Sequence, residues 1–256
     1  VGETIQRVEV RSPALREPLD GEALAARLAG QRVERLGRRA KYLLVEVTGG
    51  STLAVHLGMS GRLTLAPADA PVEPHEHLAF HLAGGRRLRL RDPRRFGNAF
   101  VLATADLPAD RHFVHLGLEP LSGELTGARL RQLAAGRRGP VKAFLMDARL
   151  VVGVGNIYAC EALFRSGIHP ARSVARISQV RWGHLAEAVV AVLGDAIAEG
   201  GTTLNDFRNG DGEAGYFQVS LAVYGREGEP CPACGTAIRR LVQSNRSTFY
   251  CPRCQR

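Results

Sequence analysis

Two Cys-x-x-Cys pairs, Cys231 with Cys234 and Cys251 with Cys254, stand near the end of the chain with sixteen residues between them. Four thiolates so spaced close a tetrahedron around one Zn2+, each pair on a tight knuckle and the intervening residues forming a β-hairpin. Two disulfides are the competing arrangement. The chain has five cysteines and shows neither a signal-peptide pattern nor a transmembrane run, so the expected compartment is a reducing cytoplasm and the expected bond is to zinc. With all four positions filled by protein the ion is structural, and function passes to Arg239, Arg240 and Arg246 on the same hairpin. The fifth cysteine, Cys160 in YACEALF, is expected to pack as a small hydrophobe.

Other residue sets could also do chemistry. VGVGNIYACEALF (152–164) sets a glycine-rich turn before a helix, with Asn156 near its N-cap. Backbone N–H groups there suit a phosphate, and a capped helix without ligand is the alternative. RDPRRFGN (91–98) puts Arg94, Arg95 and Phe96 on a turn between strands, the composition of a wedge for a base stack; Phe96 could equally fold into a core. HLGMSG (56–61) carries Met59 on a second glycine-flanked tip, where packing inward is the alternative. PHEHLAFH (74–81) spaces His75, His77 and His81 for one strand face; no fourth ligand accompanies them, so His75 is read as a polar contact where the strand begins.

The formal charge of +9 over 256 residues points to a polyanionic partner, nucleic acid ahead of a membrane surface, since no basic amphipathic anchor stands out. The chain holds thirty-two arginines and two lysines, Lys41 and Lys142. Arginine practically never gives up its proton whereas lysine can be tuned to, so both lysines become candidates for chemistry; composition alone does not separate this from chance. Lys41 in RRAKYLL sits at the mouth of a strand that could aim it.

These residues need elements to hold them. Residues 31 to about 104 alternate or run β-rich between glycine pairs, which predicts an antiparallel sandwich or barrel, preceded by one short helix. Residues 105–122 read as a connector, and four helical stretches follow: ELTGARLRQLAAG, KAFLMDA, GNIYACEALFRSG and SQVRWGHLAEAVVAVLGDAIAEGG. NGDGEAGYF (209–217) is glycine-rich enough for a mobile loop. The expectation is an α+β multidomain chain: a β-sandwich over 1–110, a helical domain over 111–222 and a zinc-finger β-hairpin over 223–256.

HLGMSG, DPRRFG, LMDARLVVGVGNIYACEALFRSGIHP, GGTTLNDF, VYGREGEPCPACGT and RSTFYCPRCQ, in this order, resemble the formamidopyrimidine-DNA glycosylases, bacterial enzymes that remove oxidised purines such as 8-oxoguanine. The resemblance covers essentially the whole chain. It implies a β-sandwich, a helix-two-turn-helix domain and a zinc finger, with duplex DNA carrying an oxidised purine or abasic site as partner. It also implies a monomer in the bacterial cytoplasm, at the nucleoid, with no membrane role. By the same resemblance Met59, Arg94 and Phe96 fill the gap left by a flipped nucleotide, and Asn156 and Arg246 hold the phosphates around it. Arg246 also takes part in δ-elimination and Lys41 in β-elimination. Lys142 lies near the damaged base, His75 and Arg137 contact DNA, and Gly215–Gln218 close over an extruded 8-oxoguanine. Endonuclease VIII, the pyrimidine-repair relative, carries its wedge residues on one loop; here they are split between GMSG and PRRF, which favours the purine enzyme.

Members of that family begin with Pro-Glu-Leu-Pro-Glu and a helix ahead of the Val-Gly that stands here at Val1 and Gly2. Their terminal proline amine is the nucleophile and the glutamate the general acid. Glu3 belongs to the strand TIQRVEV and cannot replace them. Two expectations follow: a base-excision enzyme shown without its first residues, or a binder of damaged DNA without activity. Retention of both lysines and the wedge favours the first. A 256-residue chain starting at Val1 is expected to bind abasic-site duplex, to form no borohydride-trapped adduct and to release no 8-oxoguanine. Adding the Pro-Glu-Leu-Pro-Glu helix should restore both activities, and changing its proline to glycine should reduce them again. Strong 8-oxoguanine release by the 256 residues alone would assign the attack to another amine, Lys41 first.

Overall fold

The computed structural model describes residues 1–200 and 221–256. Most of GGTTLNDF, the NGDGEAGYF stretch and the Gly215–Gln218 segment lie outside the described residues. The described chain divides into two compact units, Val1–Val114 with Gly200, and His115–Glu199 with 221–256.

The first unit is an antiparallel sandwich. One sheet holds β1 (Ile5–Val10), β6 (Glu76–Leu82), β7 (Arg86–Arg91) and β5 (Arg62–Pro67) in that order. The other runs β2 (Val33–Arg39), β3 (Tyr42–Val47), β4 (Ser51–His56) and β8 (Asn98–Ala103). Alternation decides the inner faces: Leu78, Phe80 and Leu90 from one sheet meet Val45, Leu53, Val55 and Ala99 from the other, all buried. The short helix α1 (Gly21–Leu28), capped by Asp20 accepting from the Ala23 N–H at 2.9 Å, adds Leu24 and Leu28 to this core. Glu3 is used at the sheet edge, where it accepts from the Gly84 N–H and Arg86. The three histidines stand in different settings. His77 is buried and His81 pairs with Glu9, whereas His75 precedes β6 at φ +64, beside a register shift between Glu76 and Leu78.

The second unit is helical: α2 (Gly127–Ala134), α3 (Val141–Leu145), α4 (Asn156–Arg165) and α5 (Gln179–Ala198). Thr126 and Ser178 cap α2 and α5. The four helices surround Trp182, Leu130, Leu145 and Leu163, each at most 1% exposed. A side chain at Gly127 would stand 2.4 Å from the Gly183 nitrogen, so α2 and α5 cross backbone to backbone at this glycine pair. α3, two turns and α4 form the helix-two-turn-helix. The same unit holds the hairpin of β9 (Arg239–Gln243) and β10 (Arg246–Tyr250). Ile238 and Phe249 of the hairpin share a small core with Cys160 and Val223, so Cys160 packs as an apolar residue. Among the described residues no helix is long and apolar enough to cross a membrane.

Glu161 anchors the chain that leads into the hairpin. It lies in the apolar run of α4, 1% exposed, and its carboxylate accepts the N–H groups of Ala222, Val223 and Tyr224 at 2.9, 3.0 and 2.9 Å. Three charge-assisted bonds offset the cost of burying the carboxylate. Glu161→Gln replaces one acceptor with a donor and leaves one of these N–H groups opposed. Urea unfolding should show a loss of about 1–3 kcal/mol, and Glu161→Ala should lose more.

Candidate nucleic-acid interface and zinc centre

The two tips of the first unit come together. β4 leads to β5 through 57–61 and β7 leads to β8 through 92–97. His56 pairs with Asn98 and Arg62 with Arg91, so the two connections run side by side. Met59 is 67% and Phe96 46% exposed, and neither folds into the core. The Arg94 guanidinium lies 4.8 Å from the Phe96 ring centroid, a cation–π contact. Gly58, at φ +63, permits the approach: a Cβ there would be 2.5 Å from the Phe96 carbonyl carbon.

Lys41 is exposed on the two-residue turn between β2 and β3, after Ala40 at φ +53. Burial, and then the positive charges of Lys41 and Arg16, push the His56 imidazole down to about 4. His56 is therefore neutral at pH 7, and its Nδ1 accepts the Gly58 N–H at 2.9 Å, fixing the turn before Met59. His75 is exposed, and its carbonyl accepts the Asp92 N–H at 3.0 Å.

In the second unit Asn156 is the first residue of α4, one position beyond the cap Gly155, and its side chain does not cap the helix. Its Oδ1 accepts from Lys142 Nζ at 2.5 Å, and its Nδ2 donates to the Tyr224 hydroxyl at 3.2 Å and the Ser247 carbonyl at 2.9 Å. An ammonium can only donate and a carbonyl only accept, so these partners fix the orientation of the amide. Lys142 is 1% exposed and also donates to Thr248 Oγ1 at 2.6 Å. Burial lowers its pKa first; Cys160 opposes this and the Arg246 guanidinium adds to it. Two of the three ammonium donors are engaged by Asn156 and Thr248.

Arg246 opens β10 just after the turn residues Ser244 and Asn245, at φ +49 and +58, the paired left-handed conformations of a tight two-residue hairpin. It is exposed and borders a cavity of about 240 Å3 with Lys142, Met146 and Gln243. Arg137 is exposed after α2, donates to the Leu133 carbonyl and borders a separate cavity of about 200 Å3 with Phe144 and Asp147.

The four cysteine sulfurs lie within 4.8 Å of one another, with Cys231–Cys254 at 3.9 Å and Cys234–Cys251 at 3.5 Å. Tetrahedral ligation at a Zn–S length of about 2.3 Å requires sulfurs about 3.8 Å apart, so the cage fits one zinc. Among the described residues this is the only group of its kind. All four positions are protein thiolates, so the ion is structural.

The sequence reading missed Asp92, Ser60, Glu161, Tyr224 and Thr248. Signals existed for two of them. Asp92 precedes a proline, and Glu161 is a lone charge in an apolar helix. Nothing in the sequence pairs them with their partners.

Family models match the chain in three stretches: residues 1–99 match the formamidopyrimidine-DNA glycosylase N-terminal domain, 116–208 the formamidopyrimidine-DNA glycosylase H2TH domain, and 228–256 the zinc finger found in FPG and IleRS. A formamidopyrimidine-DNA glycosylase of Marinobacter nauticus is 51% identical over 255 residues, covering 100% of this chain and 93% of the relative. One from Halorhodospira halophila is 52% identical over 257 residues, with the same coverage of 100% and 93%. Among solved structures, the complex between Lactococcus lactis Fpg and DNA containing an abasic site has a TM-score of 0.92 at 31% identity, covering 100% of this chain and 93% of that one. The crystal structure of the MutM (FPG) protein from Thermus thermophilus has a TM-score of 0.87 at 40% identity, covering 100% and 92%. The chain belongs to the formamidopyrimidine-DNA glycosylases, a family of bifunctional DNA-repair enzymes that are both glycosylases and abasic-site lyases.

Proposed function

We propose that this chain excises oxidised purines, 8-oxoguanine and formamidopyrimidines, from duplex DNA and opens the resulting abasic site by β,δ-elimination. The observation that carries the reading is the pair of exposed apolar tips, Met59 and Phe96, with the Arg94 guanidinium stacked on the Phe96 ring. A base stack opened by flipping offers such tips an apolar slot bordered by phosphates, and filling it offsets a few kcal/mol of lost stacking. The Lactococcus lactis complexes support the substrate class, one with Fapy-dG DNA and one with abasic-site DNA.

In this reading Met59, Arg94 and Phe96 occupy the gap left by the flipped nucleotide. Asn156 and Arg246 meet the phosphates around it, and His75 and Arg137 add contacts along the duplex. Lys41 is the amine of β-elimination, and Arg246 takes part in δ-elimination. Lys142 contributes from beneath the surface by holding the Asn156 amide. Residues 1–110, 111–222 and 223–256 serve as sandwich, helical and zinc-finger parts of a monomer working on the bacterial chromosome in the cytoplasm. Oxidised pyrimidines form a second substrate class, favoured by a solved complex of the Lactococcus lactis protein with DNA carrying one.

Phe96→Ala should weaken binding to a duplex with an abasic analogue about tenfold or more while leaving undamaged duplex nearly unaffected, because non-specific affinity rests on phosphates. Equal losses on both, measured by fluorescence anisotropy, would assign Phe96 to fold support. Cys251→Ser should release the metal and weaken DNA binding together, since ligation and hairpin folding are coupled and Arg246 is carried by the hairpin. Metal analysis of the purified wild-type chain without stoichiometric zinc would remove this link.

A further inference from the structure

Met59 lies in one loop and Arg94 with Phe96 in another, more than thirty residues apart in sequence. Two exposed loop tips have little apolar contact to hold them: Met59 is 67% and Phe96 46% exposed. A group beneath them supplies the tie. Asp92 is 0% exposed. One carboxylate oxygen accepts the Ser60 hydroxyl at 2.6 Å, next to Met59 in the first loop. The other accepts the Gly97 N–H at 2.7 Å, next to Phe96 in the second.

The rest of Asp92 is fixed as well. Its carbonyl accepts from His77 Nε2 at 2.9 Å, and its N–H donates to the His75 carbonyl at 3.0 Å. Ser60 Oγ in turn accepts the Arg94 N–H at 3.3 Å, a second bond across the two loops. The backbones touch without side chains between them: a Cβ on Gly58 would fall 2.6 Å from the Gly97 nitrogen, and one on Gly97 2.8 Å from the His56 carbonyl oxygen.

We infer that Asp92 is a positioning residue for damage recognition: its buried carboxylate locks the Met59 loop to the Arg94–Phe96 loop, so that both tips enter the DNA as one preorganised wedge. The inference rests on the wedge reading above. The physical argument is one of ordering. Two independently mobile loops would each lose conformational freedom on insertion, and that loss subtracts from affinity for the opened stack. Phosphate contacts made elsewhere on the surface do not depend on the tie, so its removal falls on damage selectivity and spares general DNA binding.

The test uses the full 256-residue chain and compares Asp92→Ala, Asp92→Asn, Ser60→Ala and Phe96→Ala. Each is titrated with duplex carrying a tetrahydrofuran abasic analogue and with undamaged duplex, and amide exchange is followed in the free protein. Asp92→Ala should lower the ratio of the two affinities by about tenfold. It should also speed exchange in 57–61 and 92–97 together. Asp92→Asn keeps one acceptor for Gly97 and can donate to Ser60 Oγ, so it should recover most of the ratio. Ser60→Ala cuts the tie from the other loop and should reproduce part of the loss. If Phe96→Ala lowers the ratio and Asp92→Ala and Ser60→Ala do not, the positioning role is overturned and the wedge stands. Faster exchange in 92–97 alone would also overturn it. An unchanged ratio in Phe96→Ala removes the wedge reading, and the inference with it.

Discussion

Four thiolates around one zinc are the constraint on which the hairpin, and the arginine it presents, depend. The hairpin of β9 and β10 has little to bury of its own: Ile238 and Phe249 pack inward, while Val242 is 64% exposed. So few apolar contacts do not hold an isolated two-stranded ribbon in water. The metal joins the two chain ends at the open end of the hairpin, and Cys160, Val223 and Phe249 gather around the ligands Cys231 and Cys251. Arg246 then stands at a fixed place because it follows a turn whose two residues are held at positive φ. The arginine that the hairpin presents is thus positioned by an ion it does not touch.

Buried polar groups perform the same office where no metal is present. Glu161 binds three consecutive N–H groups and so fixes 222–224 to α4. Tyr224, placed by this anchor, accepts from Asn156, and Lys142 joins Asn156 to Thr248 of β10. In the first unit Asp92 joins two loops in the same way. Each group pays its desolvation through bonds to segments distant in sequence, and a satisfied buried network admits few alternative arrangements. Stability gained from such groups is modest, whereas the geometry they enforce is what a recognition surface needs.

Local signals made most of the fold legible. Alternation in YLLVEV and STLAVHLG predicts strands that the structure forms as β3 and β4, and the glycine and proline punctuation predicts the helices that appear as α2 to α5. The cysteine spacing predicts the cage. The exposure of Met59 and Phe96 could not be read, because a turn residue can point either way and its direction is decided by neighbours such as Gly58 and Gly97. The place of His75 outside the strand has a related cause. A register shift between Glu76 and Leu78 and a positive φ at His75 mark the strand's start, and no periodicity argument anticipates either. Asn156 illustrates the third kind of gap. Its place at the start of a helix was legible, yet its side chain answers to Lys142, Tyr224 and Ser247 instead of the helix end.

The scarcity of lysine takes on meaning in this setting. Arginine serves wherever a charge stands in solvent or forks onto a carboxylate, as Arg149 does on Asp147. Lys142 occupies a different kind of place: 1% exposed, with two single oxygen acceptors, Asn156 Oδ1 and Thr248 Oγ1, at 2.5 and 2.6 Å. A guanidinium brings five N–H donors in a rigid plane, and two point acceptors would leave most of them unsatisfied in a buried site. An ammonium is compact and its three donors rotate to suit. Burial, reinforced by Arg246, also makes its proton easier to lose than that of an exposed lysine. Losing it would leave an amine with two N–H donors for Asn156 Oδ1 and Thr248 Oγ1, without the charge that strengthens both bonds. The charge on Lys142 thus sets the strength of two bonds around the start of α4, in a space where a compact ammonium fits and a planar guanidinium would not.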